Sequence, residues 1–298
     1  LLRSPDQAPN PCVNGAPYFL LVSELRHQVV AGDEPSVVLL HEGAGSGVLW
    51  DRHKDAIRGR RRAVTYDRRG YGKSPRDVML DSDHFEQAVE DLGDLLRETC
   101  DGPVDLVGHS DGGSVALLAA VRHPEAIRSV CAVSTHVYAD PYTASALRAL
   151  GPVQSWDERT RVLYETQHGD DWMDVVAGWI GMWLAGGLSR WDLRPELPEI
   201  EVPVLVAHDR ADPLSPTLHA RSIQESVQSA RVSWYHTGSH RPPPRGTRSV
   251  LRGTAGLLGR RLVRLVEAAG QQVLGPTVCR REPAFSTVGS RCYYVKAR

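Results

Sequence analysis

Short apolar runs rich in β-branched residues alternate with longer amphipathic stretches between about Arg26 and Leu258. The runs are Val37–Leu40, Ala63–Tyr66, Val104–Val107, Val130–Val133, Val204–Ala207 and Arg231–Tyr235. Most are continuously apolar, as expected for strands covered by helices on both faces. Arg26–Val30 alternates better and reads as an antiparallel edge strand. Between the runs, Phe85, Val89, Leu92, Leu95, Leu96 and Thr99 recur at near-helical spacing until Gly102-Pro103 stops the element. Ser114–Val121 is a compact Ala/Leu-rich helix that ends before His123-Pro124. This alternation predicts an α/β fold with a mostly parallel sheet.

The stretch Thr135–Pro203 is too long for one crossover and holds five of the seven tryptophans: Trp156, Trp172, Trp179, Trp183 and Trp191. It reads as a helical lid inserted between two strands. The expected organisation is a core of residues 24–134 and 204–268 with a lid over 135–203. Residues 1–23 form a poorly ordered N-terminal segment in this reading, and 269–298 a basic C-terminal tail.

Composition narrows the class. No apolar run approaches the roughly 20 residues of a membrane span. Five cysteines, with no C-x-x-C pair, argue against a disulfide scaffold and for a reducing cytoplasm. The net charge of −1 hides a skew: residues 241–298 carry 12 basic and two acidic side chains. Nearly all the basic residues are arginines, a skew of composition rather than a phosphate-binding pattern, so nucleic acid is not the expected partner.

The most informative segment is Gly108-His109-Ser110-Asp111-Gly112-Gly113, which lies between the Val104–Val107 strand and the following helix. A G-x-S-x-G turn in that context forces its serine into a strained conformation at the top of the sheet, with a helix N-terminus behind it. Such a serine needs a base, and the base needs an orienting acid, in the chain order Ser, Asp/Glu, His. Asp212 sits a short turn past Val204–Ala207, with Asp209 as competitor; His240 lies on a Gly-Ser loop past Arg231–Tyr235, preferred over His236. The expected catalytic set is therefore Ser110, Asp212 and His240, with His109 packing beside the nucleophile. Backbone N–H groups of Asp111 and Gly43, the latter in the glycine loop after Val37–Leu40, are the expected oxyanion donors.

Two rival chemistries are weaker. His236 and His240 have i, i+4 spacing, but Gly238 argues against the helix that a metal pair needs, and His41-Glu42 lacks the second histidine of a zinc-protease motif. Neither a metal nor a cofactor is expected. The glycine loop followed by Asp67 at a strand end mimics a dinucleotide fingerprint. Glu42, however, stands where a pyrophosphate would approach.

Together, His41-Glu42-Gly43-Ala44-Gly45-Ser46, Asp67-Arg68-Arg69-Gly70-Tyr71-Gly72-Lys73-Ser74, Gly108–Gly113, Asp212 and His240 resemble the α/β-hydrolase superfamily. More narrowly they are similar to bacterial α/β-fold hydrolases with H-E-G-x-G-S and G-H-S-D-G-G motifs. The resemblance covers about residues 25–260. It implies an eight-stranded, mostly parallel sheet with a lid after the sixth strand, and gives Asp67–Ser74 a place at the site's rim. Ser110, where epoxide hydrolases and dehalogenases carry aspartate, excludes both. Two departures from the superfamily's usual pattern stand out: Glu42, which the narrower group shares, replaces its usual glycine, and Arg241-Pro242-Pro243-Pro244-Arg245 follows His240 where a helix is usual.

The expected function is hydrolysis of a small or medium apolar carboxylic ester, thioester or lactone through an acyl-enzyme. Trp179, Trp183 and His136 are the expected substrate-lining residues. C–C bond hydrolysis, cofactor-free perhydrolysis, and a catalytically silent ligand-binding role are the alternatives. The expected partner is a small-molecule substrate, with neither nucleic acid nor membrane.

Overall fold

A computed structural model describes residues 21–240, apart from 23, 52, 55–60, 78–80, 82, 185 and 187. The expectations for the first 20 residues, the post-His240 segment and the basic tail lie outside the described residues.

Eight strands form one sheet: β1 (Leu21–Val22), β2 (Leu25–Val30), β3 (Val37–Leu40), β4 (Ala63–Tyr66), β5 (Val104–His109), β6 (Ile127–Val133), β7 (Val204–Asp209) and β8 (Arg231–Tyr235). Their spatial order is β1-β2-β4-β3-β5-β6-β7-β8. β1 pairs antiparallel with β2 and β2 with β4, whereas all pairs from β4–β3 through to β7–β8 are parallel. The chain therefore moves to one side of β3 for β4 and to the other for β5. This reversal opens a crevice at the carboxyl ends of β3 and β5.

The continuously apolar runs are buried on both faces. In β3, Val38 and Leu40 face one core cluster while Val37 and Leu39 face the other. Helix α1 (His84–Thr99) places Phe85, Val89, Leu92 and Leu96 on the first cluster, and α2 (Asp111–Arg122) adds Val115 and Leu118. α2 begins three residues before Ser114 because its first turn grows directly out of the Ser110 turn.

Between β6 and β7 lie α3 (Pro141–Ala149), α4 (Glu158–His168) and α5 (Trp172–Leu184). Asp140 caps α3 by accepting from the Tyr142 and Thr143 N–H groups, and Asp157 caps α4 by accepting from Thr160. Tyr164, Trp172 and Val176 from this insertion bury Ala44 of the loop after β3. Helix α6 (Thr217–Ser226) then leads to β8.

Candidate active site

Four loops at the carboxyl ends of β3, β5, β7 and β8 supply the candidate residues. The turn after β5 is the most constrained. Ser110 has φ 53° and ψ −121°, a left-handed backbone that a residue with a side chain holds only where its surroundings dictate it. Those surroundings are backbone on backbone: a Cβ on Gly112 would lie 2.4 Å from the Leu40 carbonyl oxygen, and one on Gly108 2.1 Å from that of Gly112. The Ser110 carbonyl accepts from Gly113 N–H (2.8 Å) and Thr135 Oγ1–H (3.1 Å), which locks the turn.

Asp212 and His240 come together. His240 Nδ1 lies 3.0 Å from both Asp212 carboxylate oxygens, and Oδ1 also accepts from Leu214 N–H (2.8 Å) and Ser215 N–H (2.9 Å). Burial pushes this carboxyl up, but the facing His240 charge and hydrogen bond, with the Ser215 N–H, win and hold it down at about 2. Asp209, the competitor, is spent elsewhere. It accepts from Ala211 N–H (2.8 Å), Thr237 N–H (2.7 Å), the Thr237 hydroxyl and Ser239 N–H (3.3 Å), so it anchors the loop that carries His240. His236 is exposed.

The loop after β3 approaches the nucleophile turn. A Cβ on Gly43 would lie 2.0 Å from Trp179 Nε1 and 2.6 Å from Asp111 Oδ2, so only glycine fits there. Trp179 Nε1–H donates to Asp111 Oδ2 (2.8 Å), while Asp111 Oδ1 is buried with no hydrogen-bond partner. Burial raises this carboxyl against the pull of the Arg68 charge. His41 is held neutral by burial and the same Arg68 charge; its Nδ1–H donates to the Glu42 carbonyl (2.7 Å) and its Nε2 accepts Arg68 N–H (3.0 Å). Asp67 fastens both loops by accepting from Gly47 N–H (2.7 Å) and Lys73 N–H (2.8 Å).

The insertion closes over this ground. His168 accepts Gly72 N–H at Nδ1 (2.9 Å) and donates from Nε2 to the Ala44 carbonyl (2.8 Å), tying α4 to two site loops. Burial lowers its pKa to about 4, as two contacts of opposite sense require of a neutral ring. His136 is buried 6.1 Å from the His240 ring and 5.0 Å from that of Trp183, centroid to centroid. His136 thus lies between His240 and Trp183, while Trp179 meets the turn after β5 through Asp111. His136, Asp140 and His219 each offer a ligand atom within 4.8 Å of the others. His219, however, accepts Val137 N–H at Nδ1 (3.3 Å) and donates from Nε2 to Asp140 (3.0 Å), which leaves it no lone pair for a metal.

One expectation fails on geometry. His109 does not simply pack: it contacts Glu42 Oε2 through Nδ1 (2.5 Å) and the His240 carbonyl through Nε2 (2.9 Å). Neither this role nor that of His168 had a local signal, since each joins residues far apart in the chain.

Comparison with known proteins agrees with this architecture. A family model described as alpha/beta hydrolase fold matches residues 35–184. Serine hydrolase BPHL of Mus musculus is 30% identical over 227 residues, covering 72% of this chain and 76% of its own. Its Homo sapiens counterpart is 30% identical over 228 residues, covering 73% and 77%. The enol-lactonase from Burkholderia xenovorans LB400 is similar in fold, with a TM-score of 0.58 at 20% identity, over 84% of this chain and 99% of that one. Among the described residues no helix is long and apolar enough to cross a membrane. With a serine presented on a strained turn of this fold and these relatives, the chain belongs to the alpha/beta hydrolase fold family and is a serine hydrolase.

Proposed function

We propose that the protein hydrolyses a carboxylic ester, thioester or lactone of small or medium size through an acyl-enzyme. The observation that carries this reading is buried Asp212 paired with His240, whose ring lies 5.1 Å from that of His109, the residue before a serine held at φ 53°. Ser110 attacks the carbonyl carbon while His240 Nε2 takes its proton. Asp212 accepts Nδ1–H and thereby keeps Nε2 free for that task. The N–H groups of Gly43 and Asp111 stabilise the oxyanion. His240 then protonates the departing alcohol or thiol, and takes a proton from the water that releases the acid.

The indoles of Trp179 and Trp183 support an apolar substrate body, under an insertion acting as lid. The unpartnered Asp111 Oδ1 supports one polar feature as well: an N–H donor, best an amine, near the scissile carbonyl. A small-molecule substrate in the cytoplasm, with neither nucleic acid nor membrane, completes the reading.

Fluorophosphonate labelling and turnover of short p-nitrophenyl esters test it, wild type against Ser110→Ala. Labelling and turnover of the wild type alone are expected. A wild type that is neither labelled nor active would overturn the reading in favour of a ligand-binding role. Amino-acid esters against N-acylated counterparts test the Asp111 feature: the free amines should have the higher kcat/KM, and equal values would remove it.

A further inference from the structure

Three chain segments meet at His109. Glu42 immediately precedes the proposed oxyanion donor Gly43, His109 immediately precedes Ser110, and His240 lies on the far loop. The His109 ring stands at the rigid end of β5, 5.1 Å from the His240 ring, and one ring nitrogen reaches each neighbouring loop. Glu42 is itself anchored, its carbonyl accepting from His41 Nδ1–H (2.7 Å) and Arg68 Nη2 (3.0 Å).

Proton counting makes this contact unusual. The His240 carbonyl can only accept, so His109 Nε2 must carry a hydrogen. The Glu42–Nδ1 contact needs a second hydrogen, borne by the ring or by the carboxyl. A neutral imidazole facing a carboxylate supplies only one. The pair therefore holds two protons and is neutral as a unit, as an imidazolium–carboxylate or its tautomer. Loss of one proton leaves a charge of −1 and breaks one of the two contacts. Among the described residues, charged or titratable groups facing the pair include His240, Asp111, Arg68 and His41.

We propose that Glu42 and His109 form a proton-bridged clamp that holds the backbone of His240 in register with the oxyanion loop. Both are positioning residues for the reaction, acting through His240 and Gly43. The inference rests on the reading of His240 as the base. It accounts for Glu42 standing where the superfamily usually has glycine: a glycine there has no side chain to hold the second proton. The clamp also supplies a restraint on His240 from the nucleophile side, independent of whatever follows residue 240.

Glu42→Gln and Glu42→Ala separate the possibilities. The Gln amide can donate to Nδ1 while a neutral His109 still donates to the His240 carbonyl, so Gln restores both contacts without the second proton. Glu42→Ala is expected to lower kcat by about 10- to 100-fold with KM within about threefold, the range for a misplaced catalytic group. Glu42→Gln should keep kcat within about threefold of wild type. In a cycle with His109→Ala, the double variant should be no slower than the slower single variant, because the two residues act as one unit.

An active, fluorophosphonate-labelled wild type whose Glu42→Ala variant keeps kcat within about threefold overturns the clamp alone. So does a folded Glu42→Gln variant that loses more than about tenfold in kcat, a readout that holds even if the Ala variant misfolds. An unlabelled, inactive wild type instead overturns the reading of Ser110 and His240 on which the clamp rests.

Discussion

Asp212→Asn is the sharpest test of the proposed triad, because the structure dictates how the amide must sit. Asp212 Oδ1 accepts two backbone N–H groups, from Leu214 at 2.8 Å and Ser215 at 2.9 Å. An amide nitrogen cannot take that place, so the Asn oxygen goes there and Nδ2 faces His240 Nδ1 across 3.0 Å. Two donors would then oppose each other unless His240 moves its proton to Nε2. That tautomer cannot accept the Ser110 proton. The expected loss in kcat is about 10⁴-fold, the scale of this substitution in a Ser-His-Asp triad, or about 5.5 kcal/mol of barrier. Stability changes far less. Holding the carboxyl at about 2, against an ordinary 3.8, contributes roughly 2 kcal/mol at neutral pH. The pKa is depressed on folding, so this contribution is present above about pH 4 and is lost as pH falls towards 2. Calorimetry should therefore show a drop of roughly 4–8 °C in Tm at neutral pH. Ester turnover measured beside it separates lost chemistry from lost fold. If Asp212→Asn keeps a tenth or more of wild-type kcat, the wrong acid has been named. Asp209→Asn should lower activity more moderately, since Asp209 holds the Thr237–Ser239 loop rather than the imidazole.

Three further outcomes are expected. Gly43→Ala drives a methyl group into Trp179 and Asp111 and should cost about 10²–10³ in kcat, as losing one oxyanion donor does; wild-type turnover would remove Gly43 from that role. Trp179→Phe removes the indole N–H that Asp111 Oδ2 accepts, and chemical denaturation should show a loss of about 1–3 kcal/mol; an unchanged midpoint would show that the contact contributes nothing net. Burial lowers His168 from about 6.5 to about 4, so the unfolded chain binds the extra proton first. Unfolding free energy should then fall by up to about 3 kcal/mol as pH drops from about 6.5 to 4, and His168→Asn should flatten that part of the curve.

The sequence by itself determined the α/β alternation, the strands from Val37–Leu40 to Arg231–Tyr235, and the serine turn. These are local signals: apolar runs too continuous for one-sided strands, and small residues at positions where backbone packs on backbone. Gly112 against Leu40, and Gly43 against Trp179, show why those positions could be read in advance. The order of the acid and base along the chain followed from the architecture. The preference for Asp212 over Asp209 rested only on Asp212 lying a short turn further past the apolar run Val204–Ala207.

Only the tertiary structure shows which partners each carboxylate meets: Asp209 accepts from Ala211 and from the Thr237–Ser239 loop, whereas Asp212 faces His240. It likewise gave His109 and His168 their tasks. Each of these rings joins loops separated by some tens to more than a hundred positions, and no periodicity or spacing records such a meeting. Local patterns report which face of an element is buried. Which polar groups then share a hydrogen bond depends on how distant elements pack, and that is settled only when the sheet brings its carboxyl ends together.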